Sequence, residues 1–429
     1  MTTEEIYQIF IKSHKISTDS RKIEKDCIFF ALRGDNFNGN TFAKTALEKG
    51  AAYAIIDEPD FLISNKTILV ENVLQTLKDL ANLHRRKLGI PILAITGTNG
   101  KTTTKELTSI VLSKKFNVSF TEGNLNNHIG VPITLLKMNS DTEFGVVEMG
   151  ANHPGEINEL CAIAEPDFGI ITNIGKAHLE GFGSFEGVIQ TKSELFRHIK
   201  SNNGIIFYNH DNPILTELAI DIKNKINYGS KNAGFNGELL SSPPFVHLKV
   251  NFRKGVLYLN TNLTGDYNFE NIMAAACIGN YFEVDPIEIQ YALKSYYPQN
   301  NRSQLINKNG LKITMDAYNA NPTSMQASIK SFMSNVSNNS YLILGDMLEL
   351  GDYSRQEHTA ILELLRNYPS VNVFTVGKNF YEIAPDFNCK PFQNVELLCK
   401  YLQENPIKDG NILIKGSRGI QLEKVLTCF

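Results

Sequence analysis

Short, nearly continuous apolar runs, each followed by a polar or glycine-rich turn and then a helical period, constrain this chain more than any other feature. Ile92–Thr96, Phe144–Glu148, Phe168–Asn173 and Gly204–Tyr208 are such runs. An uninterrupted apolar run of this length suits a strand covered on both faces, as in a parallel sheet with helical crossovers. The alternation predicts an α/β domain over 86–304. The same texture returns over 305–429. There Leu311–Met315, Tyr341–Leu344, Val371–Val376 and Asn411–Ile414 read as strands, with helices near Ser324–Met333 and Arg355–Leu365. Residues 1–85 carry the shorter runs Cys27–Leu32, Ala52–Ile56 and Thr67–Val70. They lead into a helix over Val73–Leu88, whose Val73, Leu77, Leu80, Ala81 and His84 fall near a 3.6-residue period. Three α/β units are expected, as suits a chain of 429 residues.

Composition narrows the function classes. The hydrophobic share of 42% and charged share of 20% are ordinary for a globular protein. A formal net charge of −3 gives no global attraction to nucleic acid or anionic lipid. No apolar run approaches the roughly 20 residues that cross a bilayer, and the start MTTEEIYQIF has acids where a secretion signal would have an apolar core. A cytoplasmic protein with neither nucleic-acid binding nor membrane insertion is expected. The 6 cysteines include no C-x-x-C pair, so reduced thiols are expected rather than a zinc site or a disulfide framework.

The run Ile92–Thr96 leads into Gly97-Thr-Asn-Gly-Lys-Thr-Thr103. This has the Gly-Lys-Thr core of a phosphate loop, with the first glycine displaced from its usual place five positions before the second, where Ile95 stands. Backbone N–H groups and a helix N-terminus after a buried strand make an anion cradle. Lys101 would reach the β- and γ-phosphates, and the Thr102 hydroxyl would ligate Mg²⁺. The competing reading is a chance glycine-rich turn. Glu148 ends the next buried strand, where a second metal ligand belongs, although a solvated strand-end carboxylate looks the same in sequence. His178 follows a further strand and is either a metal group or an exposed histidine. Lys192 shares a helix face with Val188, Leu195 and Ile199. Its amine either snorkels to water or is buried, nucleophilic and open to carbamylation by CO₂. Asp316 ends a strand and either takes a ribose hydroxyl or caps a turn. Asn268 and Asn271 precede an apolar helix and either cap it or contact adenine.

Together these residues resemble the Mur ligases, the ATP-dependent amide ligases of peptidoglycan synthesis. The displaced glycine of TGTNGKTTT is that family's variant. Further stretches resembling the family are TEGNLNNHIGVP (Thr121–Pro132), VEMGANHPGEI (Val147–Ile157), DAYNANPTSM (Asp316–Met325), GDMLELG (Gly345–Gly351) and KGSR (Lys415–Arg418). STDSRKI (Ser17–Ile23) and FFALRGDNFNGNTF (Phe29–Phe42) look like its uridine-nucleotide-binding domain.

The resemblance implies three domains: a UDP-binding α/β domain (1–85), a P-loop ATPase-like parallel or mixed sheet (86–304) and a Rossmann-like α/β domain (305–429). It implies that Gly97, Thr98, Asn99, Gly100, Lys101, Thr102 and Thr103 hold ATP phosphates, and that Asn268, Asn271, Arg302 and Asp316 contact the nucleotide. Thr102, Glu148, His178 and a carbamylated Lys192 would surround Mg²⁺, with Lys101, Glu148, His178 and Lys192 serving catalysis. Asn124, Asn126 and Asn127 would meet the muramoyl substrate, and Asn319 and Asn321 would also contact substrate. Thr18, Ser20 and Arg21 would meet its UDP end. Two positions depart from the family pattern: Tyr267 stands where a histidine is common, and Ala317 where a second aspartate is common.

The implied reaction joins D-alanyl-D-alanine to UDP-N-acetylmuramoyl-tripeptide through an acyl phosphate, in a monomer whose domains close by a large hinge movement. One alternative is a sibling ligase adding the third amino acid, though its Asp-Asn-Pro-Arg motif is not found. A folate polyglutamylating enzyme shares the loop but not the STDSR domain. A different class is a nucleotide-regulated switch without ligation.

Overall fold

In the computed structural model, which describes residues 1–242, 244–299, 301–334 and 339–429, the apolar runs become three separate sheets. The first has four parallel strands in chain order, Ile16–Ser17, Ile28–Phe30, Tyr53–Ile56 and Thr67–Leu69. The helix Val73–Leu88 follows with its expected face inward: Val73, Leu77, Leu80, Ala81 and His84 are all buried. An Asn72 side chain caps its start and a left-handed Gly89 ends it. This helix packs on the helices Thr3–Phe10, Gly130–Leu136 and Glu156–Ala164, so it joins the first sheet to the second. Arg85 fastens it there through Asp167 at 2.9 Å.

The second sheet has nine strands. In spatial order they are Gly255–Asn260, His247–Phe252, Phe235–Ser241, Lys225–Gly229, Ile205–Asn209, Phe168–Ile171, Ile92–Thr96, Phe144–Glu148 and Val118–Phe120. The strands from Phe235–Ser241 to Val118–Phe120 pair in parallel, and the hairpin His247–Asn260 extends the sheet antiparallel. Every residue of Ile92–Thr96 and of Phe144–Glu148 is buried, which is why these strands read as unbroken apolar runs. From Ile92–Thr96 the chain crosses to the Val118–Phe120 edge, and later returns to the opposite side at Phe168–Ile171. The order therefore reverses beside Ile92–Thr96, which opens a crevice at the carboxyl ends of the strands.

The third sheet orders Gln304–Lys308, Leu311–Asp316, Gly410–Lys415, Ser340–Gly345, Asn372–Val376 and Lys390–Phe392. All of its pairs are parallel except the first. Helices Pro322–Met333, Ser354–Leu365 and Val395–Glu404 cross over between its strands. The architecture is α/β throughout, with three parallel-rich sheets.

Some local expectations are corrected. Phe168–Ile171 stops two residues short of Asn173, because Thr172 and Asn173 turn away to bond the phosphate-type loop. Gln304–Lys308 is a strand that periodicity passes over. It pairs with Leu311–Asp316 across Asn309-Gly310, both with positive φ, the Asn-Gly signature of a two-residue hairpin. Among the described residues no helix is long and apolar enough to cross a membrane.

Candidate active site

The loop after Ile92–Thr96 is shaped by its neighbours. Gly97 adopts φ +141, and a Cβ there would lie 2.1 Å from Thr172 Oγ1, so only glycine lets the two strand ends approach this closely. Thr98 Oγ1 accepts from Gly175 N at 2.9 Å, and Asn99 N donates to Asn173 Oδ1 at 3.0 Å. Gly100 takes a left-handed turn at φ +77, after which the helix Lys101–Leu112 begins with no side-chain cap. Its first N–H groups therefore face the crevice, the geometry for an anion. Lys101 Nζ folds back on Gly97 O at 2.8 Å and Thr98 O at 3.2 Å. Burial lowers its pKa, opposed by Glu148 and assisted by Arg302.

Across the crevice Glu148 is buried at the strand's carboxyl end. Its Oε1 accepts from Asn126 Nδ2 at 2.7 Å, whereas its Oε2 has no hydrogen-bond partner. A buried carboxylate oxygen left bare is costly, and a cation would satisfy it. With the Thr102 hydroxyl and His178 on the same crevice wall, the donor set suits a hard divalent ion such as Mg²⁺. His178 sits at φ +51, and its Nδ1 lies 2.5 Å from Glu349 Oε2.

The crevice holds about 720 Å³ and brings together most of the residues singled out in the sequence. Thr98 through Thr103, Asn124, Asn126, Asn127, Glu148, His178, Asn268, Asn271, Arg302, Asp316, Asn319 and Asn321 all line it. Gly97 lies behind the loop and acts through close packing instead. Lys192 also lies behind the wall. Its Nζ is 3.4 Å from the carbonyl of the wall residue Ala151 and 5.4 Å from the Phe182 ring centroid. It does not snorkel: burial first, then the charge of Lys101, drives its pKa well below the usual lysine value. Thr18, Ser20 and Arg21 are not brought to the crevice. They follow the first strand, where exposed Arg21 pairs with Asp19 at 2.8 Å and Ser20 O accepts from Lys49.

The two capping alternatives are settled locally. The helix Asn268–Tyr281 starts at Asn268, and neither asparagine caps it. Asn268 Nδ2 donates to Thr264 O at 2.7 Å, while Asn271 joins Thr104 to Asn268. Asp316 does not cap either. It accepts from Lys415 Nζ at 2.6 Å and Ser328 Oγ at 2.9 Å, while Asn321 caps the helix Pro322–Met333. The Asn321 amide also donates to Asn99 Oδ1 at 2.8 Å, tying the third sheet's helix to the loop. Tyr267 turns its hydroxyl to Ser303 Oγ at 2.8 Å.

Sequence reasoning assigned no site role to several residues that the fold gathers here. Tyr318 lies on the crevice wall with the Arg302 guanidinium 3.6 Å from its ring centroid. Asn173 and Lys415 also line it. Glu270 is half-buried on the same wall, its carboxyl raised to about 7 by desolvation and the nearby Asp211. Lys415 stands in the quoted KGSR stretch, which was the available signal. Glu270 had none, because Asp211 is distant in sequence.

Comparison with known proteins agrees along nearly the whole chain. Residues 12–93 match "Mur ligase family, catalytic domain", residues 95–279 match "Mur ligase middle domain" and residues 301–418 match "Mur ligase, glutamate ligase domain". The chain is 35% identical over 425 residues to UDP-N-acetylmuramoyl-tripeptide–D-alanyl-D-alanine ligase of Bacillus subtilis, covering 96% of this chain and 92% of that protein. It is 30% identical over 426 residues to the protein of the same name from Escherichia coli, with 96% and 92% covered. Among solved structures it resembles MurF from Acinetobacter baumannii, with TM-score 0.87, 29% identity and 96% and 92% of the two chains covered. It also resembles MurF ligase from Thermotoga maritima in complex with ADP, with TM-score 0.84, 28% identity and 97% and 96% covered.

Proposed function

The chain belongs to the Mur ligase family, and from that premise we propose that it joins D-alanyl-D-alanine to UDP-N-acetylmuramoyl-tripeptide, using ATP. The observation that carries the reading is the crevice itself. A phosphate-type loop, a buried carboxylate with a bare oxygen, and Arg302 with Asp316 from beside and within the third sheet face one another there. A nucleotide-regulated switch would have no use for the second half of that set.

The division of labour follows the chain. Residues 1–85 hold the UDP end, with Thr18, Ser20 and Arg21 in contact. Residues 86–304 hold ATP and the tripeptide, with Asn124, Asn126 and Asn127 toward the muramoyl part. Residues 305–429 bring the dipeptide and close the nucleotide site, with Asn319 and Asn321 on the substrate side. Asn268 and Asn271 flank the base, and Asp316 takes a ribose hydroxyl. The protein acts as a monomer in the cytoplasm.

A carboxylate is a poor electrophile, so the tripeptide's terminal carboxylate first takes the γ-phosphoryl group of ATP. Lys101 leaves the Gly97 and Thr98 carbonyls to meet the phosphates, and Arg302 offsets charge on the group in transfer. Thr102, Glu148, His178 and a carbamylated Lys192 would hold Mg²⁺, which when bound supplies charge neutralisation on the phosphates. The dipeptide amine then attacks the acyl phosphate, and the tetrahedral adduct expels inorganic phosphate to leave an amide. The crevice must exclude water meanwhile, or the acyl phosphate hydrolyses.

Phosphate release from ATP tests the reading. Release is expected only with both the UDP-muramoyl tripeptide and D-alanyl-D-alanine present, together with a pentapeptide product of the correct mass. Equal release without them would assign the loop to a different ATPase. A second expectation concerns shape. The contacts between the second and third sheets include side-chain bonds such as Asn321–Asn99 at 2.8 Å and Lys176–Glu357 at 2.6 Å, which can part and re-form. Small-angle scattering should report a smaller radius of gyration once an ATP analogue and the muramoyl substrate are added. An unchanged curve would remove the hinge from the mechanism.

A further inference from the structure

Two left-handed residues that are not glycine meet where the second and third sheets touch. His178 has φ +51 and Glu349 has φ +63, and their side chains approach to 2.5 Å, Nδ1 to Oε2, an ion-pair contact in which the ring Nδ1 has no aligned hydrogen bond. Such backbone conformations cost free energy and persist only where surrounding structure enforces them.

The enforcement on the Glu349 side is visible residue by residue. Asp346 is buried, and its carboxylate accepts from Asn379 N at 2.8 Å and Phe380 N at 2.9 Å. Met347 N donates to Nε2 of the buried His358 at 3.0 Å, while His358 Nδ1 donates to Ser354 O at 2.7 Å. Leu348 N donates to Ser417 Oγ at 3.0 Å. The next residue, Glu349, is thereby held out toward the second sheet, where its carbonyl accepts from Glu180 N at 3.3 Å. Gly351 rests on Glu180, within 3.2 Å of its Cβ had it carried a side chain. A rigid loop of the third sheet thus places one carboxylate on one ring nitrogen of the second.

We propose that Glu349 is a positioning residue for His178, and that it completes the cation site only when the third sheet is docked on the second. A carboxylate beside Nδ1 favours the proton on that nitrogen and leaves the Nε2 lone pair for a metal. His178 belongs to the second sheet's loops and Glu349 to the third's, so separating the two parts frees the imidazole. The consequence is timing: phosphoryl transfer waits until the part that brings the amine has arrived, which protects the acyl phosphate from water. The inference rests on the assignment of Glu148 and His178 to the Mg²⁺ site.

The test uses the full chain with Mn²⁺ as paramagnetic probe and a non-hydrolysable ATP analogue. Glu349→Gly suits the left-handed backbone while removing the carboxylate, and Glu349→Gln keeps an acceptor. His178→Ala is the reference. Glu349→Gly should weaken Mn²⁺ binding by about 10-fold or more, with metal-free analogue binding unchanged and Glu349→Gln in between. In ¹⁵N spectra the His178 ring should carry its proton on Nδ1 in the parent protein and lose that preference in Glu349→Gly. Unchanged Mn²⁺ affinity and tautomer in Glu349→Gly, with binding weakened in His178→Ala, overturn the inference alone. Unchanged Mn²⁺ affinity in His178→Ala overturns the cation-site assignment, and this inference with it.

Discussion

Lys192→Ala should lower ligation about 10³-fold, and added formate or acetate should restore a part of it. The expectation follows from where the amine lies. It sits on the inward face of the helix Phe185–Ser201, buried, with a 3.4 Å contact to Ala151 O as its hydrogen bond and the Phe182 ring 5.4 Å away. Burial first, then the neighbouring Lys101, disfavour its charged form and so favour the neutral nucleophile. A neutral amine adds to CO₂, forming an N–C bond and releasing one proton, and the cation becomes a carboxylate. That anion also relieves the repulsion from Lys101. Removing it should cost about 10³-fold in kcat, the scale of losing one preorganised electrostatic partner. Truncation also leaves a cavity costing about 2–5 kcal/mol, so Lys192→Met, which keeps the volume, should be measured beside it. Steady-state ligation with and without added short carboxylic acids decides the matter. Full activity in both variants would sink the carbamate, and a loss that no carboxylic acid relieves would leave Lys192 a role of another kind.

Much of this site was legible in sequence because its parts sit on the most strongly patterned elements. Ile92–Thr96 and Phe144–Glu148 are buried at every residue, so their apolar runs mark both the strands and the strand ends that carry the loop and Glu148. Val188, Lys192, Leu195 and Ile199 share a buried face, as their spacing requires. The strands Phe235–Ser241 and Gly255–Asn260 were not legible. Several of their residues are exposed, and polar residues break the apolar pattern. Glu349 was not legible either, although its stretch GDMLELG was. What makes it matter is the contact with His178, which is set by the docking of one sheet on another and leaves no local period. The Asn309-Gly310 hairpin, by contrast, carried an available signal in its turn residues.

Glu148→Gln should stabilise the metal-free protein while nearly silencing it, and the opposite signs are the point of the experiment. In the metal-free fold Glu148 Oε1 accepts from Asn126 Nδ2 at 2.7 Å, and its backbone N–H is held by Thr121 Oγ1 at 2.9 Å. Its Oε2 is buried with no hydrogen-bond partner. An unsatisfied buried polar atom costs about 1–3 kcal/mol, more when it is charged. Glutamine keeps the shape and the acceptor facing Asn126 but removes the charge, so the unfolding midpoint in a chelator should rise. The same change places an amide donor where a cation would sit. Ligation should fall about 10³-fold, comparable to deleting one transition-state charge partner, and the remaining activity should need more Mg²⁺. Strain or unmet charge kept at a site for function commonly shows this trade between stability and activity. Calorimetry in chelator and kinetics across a Mg²⁺ titration read the two signs separately. A lower midpoint would mean that Oε2 is already satisfied within the fold, and unimpaired ligation would remove Glu148 from the cation site.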